Sequence, residues 1–125
     1  MSLILDAGAL IAYDRGEHLV EILIRRAQRR DVEVRTTSGA VTQVWRGGPR
    51  QARLAMLLAG VVEVPLDPVR ARRIGTLLGI ATTADVVDGS VVDIARDGDE
   101  ILTSDPRDIA ALVEALGTVV AVTPV

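Results

Sequence analysis

Leu3-Ile4-Leu5-Asp6-Ala7-Gly8-Ala9-Leu10-Ile11 is the stretch from which the fold can be read. A short apolar run ending in a carboxylate, followed by small residues and a helical pattern, describes a buried strand running straight into a helix. Ligands of an open parallel α/β sheet bind outside the carboxyl ends of its strands. The reading therefore places Asp6 at a candidate site, with Gly8 easing close approach of the backbone there. A plainer role is also open to Asp6, that of N-cap to the following helix.

Outward from that stretch, strands and helices alternate. Glu17 to Arg30 carries Leu19, Ile22, Leu23 and Ala27 at helical spacing, and Val32 to Thr36 alternates as a strand. Ser38 is placed to cap a helix through Val41, Val44 and Trp45, which Gly47-Gly48-Pro49 stops. A helix restarts over Arg50 to Leu58, and Val61 to Val64 forms a third short strand. Asp67-Pro68 opens the next helix, and Thr82 to Asp85 opens another carrying Val87, Val91, Ile94 and Ala95. Ile101 to Thr103 is a strand, Asp105-Pro106 starts a helix to about Leu116, and Val119 to Val122 closes the chain as the last strand. Such alternation predicts an α/β fold, a three-layer α/β/α sandwich around a mainly parallel central sheet. With 125 residues and neither repeat nor linker, residues 1–125 are expected to form one domain.

Composition narrows the chemistry. The chain has no Phe and no Cys, and its large aromatic residues are Tyr13 and Trp45, so the core must be aliphatic and thiolate sites are excluded. No apolar run reaches the length of a membrane span and no charged leader precedes one, so a cytoplasmic protein is expected, with no membrane partner. Net charge is −3 and all 14 basic residues are Arg, several of them clustered. Arg forks suit phosphate, though a GC-rich coding bias would also remove Lys.

Carboxylates recur at comparable places: Asp6 after the first strand, Asp85 and Asp88 at a helix start, Asp105 after the strand at 101–103. Brought together they repel, and their pKa values rise unless a cation neutralises them. An all-oxygen set without Cys suits Mg²⁺ or Mn²⁺, not zinc. The single histidine, His18, reads as a surface residue, and Ser38, Ser90 and Ser104 lack a partnering histidine. Such an acidic site can assist in-line attack of water on a phosphodiester.

These segments resemble PIN domains, and in particular VapC-like ribonuclease toxins. The resemblance rests on Leu5 to Ile11, on Val44-Trp45-Arg46-Gly47-Gly48, on Asp85-Val86-Val87-Asp88-Gly89, and on Leu102-Thr103-Ser104-Asp105-Pro106-Arg107-Asp108. It spans nearly the whole chain. It implies a Mg²⁺- or Mn²⁺-dependent endoribonuclease with an RNA substrate, a homodimer, held inactive by a cognate antitoxin. Carried over by position, Asp6, Asp88 and Asp105 match the metal-binding acids, with Asp85 an auxiliary acid or a cap. Gln43 stands where the family usually has a Glu, a departure that removes one charge from the site. Arg46 and Arg50 are the expected substrate contacts. The implied alternative is a weakened PIN-like domain that binds RNA or antitoxin without efficient cleavage. A receiver domain would need a late-strand lysine, and a dehalogenase-like phosphatase would need a second Asp where Gly8 stands.

Overall fold

A computed structural model describes all residues, 1–125. The strands are β1 (Ser2–Leu5), β2 (Glu33–Thr37), β3 (Val62–Val64), β4 (Glu100–Thr103) and β5 (Ala121–Pro124). The helices are α1 (Ala7–Asp14), α2 (His18–Arg29), α3 (Ser38–Val44), α4 (Ala52–Ala59), α5 (Pro68–Ala81), α6 (Val86–Asp93) and α7 (Pro106–Leu116), with a short 3-10 turn at Pro49–Gln51. All four strand pairings are parallel and the order is β3-β2-β1-β4-β5. This is the expected α/β sandwich, with a sheet that is parallel throughout.

The order explains where a site can form. From β1 the chain steps through β2 to β3 in one direction, and then through β4 to β5 in the other. Right-handed crossovers therefore put α1 to α4 on one face and α5 to α7 on the opposite face. Consistent with this, α1 packs on α2, α3 and α4, while α5, α6 and α7 pack on one another. Connections leave the adjacent strands β1 and β4 in opposite directions, which opens a crevice at their carboxyl ends. Leu5 pairs with Leu102, so Asp6 and the segment after Thr103 sit side by side at that crevice.

The core is aliphatic, as the composition requires. Ile4, Leu5, Ile101 and Leu102 are completely buried in the two central strands, beneath Leu10, Ile24, Leu54 and Ile109 from the helices. No single helix is long and apolar enough to cross a membrane. Two elements differ from their sequence reading. On α2 the buried positions are Val20, Ile24 and Ala27, whereas Leu19 and Ile22 are exposed. The true seam therefore follows the i, i+4, i+7 row one residue away from the expected one. The last strand begins at Ala121 instead of Val119, because the turn claims the earlier residue. Val119 N–H donates to Asp97 Oδ1 at 2.8 Å, and its carbonyl accepts from Gly98 N–H. Pro124 ends β5 at the sheet edge, where a missing N–H is tolerated.

Candidate active site

Three helices start at the crevice, and each begins with an aspartate. Asp6 caps α1, its Oδ1 accepting from Ala9 N–H at 2.7 Å. Asp85 caps α6, accepting from Asp88 N–H at 3.0 Å. Asp105 stands at the cap position of α7 but makes no side-chain capping bond, so its carboxylate is uncommitted. Asp88 lies in the first turn of α6. Helix amino termini favour negative charge, which partly offsets the repulsion within the group. The two roles weighed for Asp6 thus coexist: it is both a helix cap and a member of the acidic group.

Local geometry shows why these residues are required. At Gly8 an added Cβ would fall 1.9 Å from Ser104 Oγ and 2.4 Å from its Cβ, so only glycine lets α1 start against the segment that carries Asp105. What comes close at Gly8 is the side chain of Ser104, a neighbour the sequence reading did not name. On α6, a Cβ at Gly89 would meet Leu78 and Ile74 at 2.9 and 3.0 Å, so the glycine seats Asp88 close against α5. Between these helices Thr82 adopts a left-handed conformation, φ 54°, which a β-branched residue rarely takes. This turn ends α5 and redirects the chain so that Asp85 and Asp88 face the crevice.

The electrostatics follow from crowding. Burial pushes the Asp6 carboxyl above its ordinary value, and the charge of Asp105 adds to the rise. Hydrogen bonds from the Thr103 hydroxyl and from the Ala9 and Ser104 N–H groups oppose it. Asp88 is pushed up to about 7, first by burial and then by the charges of Asp85, Asp105, Asp6 and Asp108. The five acids therefore share one field. Asp85, Asp88 and Asp108 also line an open depression of about 340 Å³ with Thr82, Thr83 and Leu112. As placed, however, no three acidic or histidine side chains form a ready-made metal cage.

Two contributors were not expected from the sequence. Asp108, one turn into α7, adds a fifth negative charge; its spacing of three from Asp105, on the same helix face, was the available signal. Thr103 is wholly buried and accepts from Asp105 N–H at 2.8 Å while its hydroxyl also bonds the Asp6 carboxylate. It ties the two acids together, a role its apolar-strand context concealed.

The other expected residues are not among the groups that shift Asp6 or Asp88. Gln43 is exposed on α3, and no hydrogen bond involves its side chain, while Ala40 and Val44 of the same helix are buried. Arg46 folds back on its own helix end, its Nη1 donating to the Trp45 carbonyl at 2.7 Å and the Thr42 carbonyl at 3.4 Å. Arg50 is exposed in the 3-10 turn. The loop between them is organised by Gln51, whose Oε1 accepts from Arg46 and Gly47 N–H and whose Nε2 donates to the Val44 carbonyl and Asp14. Glu63 accepts from Ser38, Glu33 pairs with Arg35, and His18 is exposed at the start of α2.

No protein-family model matches the chain, and no curated protein matches it in sequence. Among solved structures it is similar to a chain of VapBC2 from Rickettsia felis, a structure bound to a DNA fragment from its promoter. The likeness covers 98% of both chains with a TM-score of 0.67 and 9% sequence identity. At that identity the likeness establishes the fold, a PIN-like α/β sandwich, which is also the fold implied by the four sequence segments.

Proposed function

We propose that the chain is a metal-dependent endoribonuclease, the toxin of a type II toxin–antitoxin pair, with an antitoxin protein as partner and a homodimer as its assembly. The observation that carries this reading is the Asp88 carboxyl, driven to about 7 by burial and by four other acids at the switch point of the sheet. Such a group is unfavourable on its own and becomes favourable once a cation joins it. The donor set, carboxylate oxygens without sulfur, fits a hard dication. Asp6, Asp88 and Asp105 would hold Mg²⁺ or Mn²⁺, with Asp85 and Asp108 beside them. When bound, the ion supplies charge stabilisation at the phosphate and a lowered pKa for the attacking water.

The chain's own part is positional. Asp6 is fixed through Ala9 N–H and Thr103, and Thr103 in turn fixes the backbone at Asp105. Asp88 is the acid closest to changing protonation near neutral pH, which suits it to exchange a proton as phosphate or metal arrives.

The similar Rickettsia felis structure is a VapBC2 assembly, which supports an antitoxin as the partner here. A second reading, binding of RNA or antitoxin without efficient cleavage, draws on two observations: the absence of a three-acid cage, and an exposed, uncharged Gln43 in the family's Glu position. One experiment separates them. Under the nuclease reading, Mn²⁺ raises the melting temperature by ligand linkage and permits cleavage of an RNA pool. Asp88→Asn then abolishes the thermal shift and lowers the cleavage rate at least about 100-fold, the scale of losing one preorganised charged group. RNA that stays intact with wild-type protein at saturating Mn²⁺ would establish the second reading.

A further inference from the structure

Without a bound cation the acidic crevice repels a polyanion, so metal-free affinity for one must come from elsewhere on the molecule. Half of the 14 guanidinium groups are already committed. Arg70 and Arg73 bond Asp93, Arg35 is buried on the Ile94 carbonyl, and Arg25 and Arg53 share Glu21. Arg46 and Arg72 bond main-chain carbonyls of their own segments. Among the guanidinium groups with neither an ion pair nor a hydrogen bond, three stand together at the end of α2: Arg26, Arg29 and Arg30.

With Arg25 and Ile22 these three line an open depression of about 440 Å³. Residues 22, 25, 26 and 29 share one helix face, opposite the buried Val20, Ile24 and Ala27. Cations three and four residues apart repel one another. The helix dipole at this end relieves part of that repulsion, but no carboxylate pairs with Arg26, Arg29 or Arg30. A neighbouring depression lined by Arg26 and Arg30 also contains Met1 and Glu100, next to or at the starts of β1 and β4, so the patch lies at the amino edge of the sheet. A strand of four residues separates that edge from the acids by about 13 Å.

We propose that this face of α2 binds the phosphodiester backbone of a single nucleic-acid strand, without base selectivity, as an anchor remote from the acidic crevice. A row of uncommitted Arg forks suits a ligand that repeats a phosphate along its length, and each fork can take two phosphate oxygens. The anchor works whether or not the acids cleave, so it is tested with divalent ions chelated, and its failure leaves the nuclease reading untouched.

The test is fluorescence anisotropy of a labelled 20-nucleotide oligouridylate in EDTA, across a salt series. Wild-type affinity is expected to fall with salt at a log–log slope of about −2, for about three phosphate contacts. The variant Arg26→Gln/Arg29→Gln/Arg30→Gln should bind at least about tenfold more weakly with a nearly flat slope. A control of equal charge, Arg15→Gln/Arg72→Gln/Arg96→Gln, should keep most of the affinity and the slope. Replacing the three α2 residues by Lys should restore the slope, which also excludes misfolding as the cause of the loss. Equal losses in the α2 and control variants would overturn the proposal, as would poly-glutamate competing as well as RNA, which would make the patch a dock for acidic protein.

Discussion

The two ends of α6 hold the same side chain in opposite circumstances. Asp93, at its last turn, has a side chain only 3% exposed and is met by Arg70 and by both Nε and Nη2 of Arg73. The Asp93 carboxylate in turn holds the Arg73 guanidinium above its ordinary value. Asp88, five residues earlier, is met by Asp85, Asp105, Asp6 and Asp108, and its carboxyl is pushed up to about 7. Burial is common to both; the partner differs. One end of the helix is an ion-paired seam between α5 and α6, and the other stores repulsion that only a cation or a proton can relieve.

Breaking the paired end should have the larger effect on stability. Asp93→Ala leaves two guanidinium groups facing a buried seam, and it is expected to cost about 1–3 kcal/mol, with both Arg side chains retaining some solvent. Urea denaturation of the metal-free protein measures this. A loss below half a kcal/mol would show that Asp93 is no more than a surface partner.

The unpaired end should respond to pH in the opposite sense from an ordinary carboxylate. The unfolded chain releases the Asp88 proton near pH 4 and the folded chain near 7. Between those values the folded state binds more protons, so stability falls as pH rises from about 4 to 7 and then levels off. The size is expected to be about 1–2 kcal/mol, less than the full shift implies because the site opens to solvent. Asp88→Asn should flatten this slope and stabilise the metal-free protein at pH 8, with little change at pH 4. Melting curves across pH test the assignment; a variant that keeps the wild-type slope would place the titration elsewhere.

The smallest effect is expected at Gln43. Its exposed side chain predicts that Gln43→Glu changes metal-free stability by about half a kcal/mol or less. If the new carboxylate reaches the acidic group, calorimetric titration will show tighter Mn²⁺ binding than in the wild type. Equal affinities would leave the aspartates as the whole of the site.

The sequence by itself determined the layered parallel architecture, because apolar runs too short for helices alternate with segments of 3.6-residue periodicity. It also determined which aspartates begin helices, since Asp6, Asp85 and Asp105 each follow or open an element whose limits are locally encoded. The phase of the α2 seam and the true start of β5 were not decided locally, because Leu19 and Val119 are as apolar as the residues that are buried instead. Only the strand order set β1 beside β4, bringing Asp6 next to Thr103 and Ser104 across nearly 100 residues of chain. The tertiary structure likewise separated two chemically identical residues, placing Asp93 against arginines and Asp88 among acids. A carboxylate's state depends on the charges within a few ångströms of it, and those neighbours come from distant segments that no local pattern records.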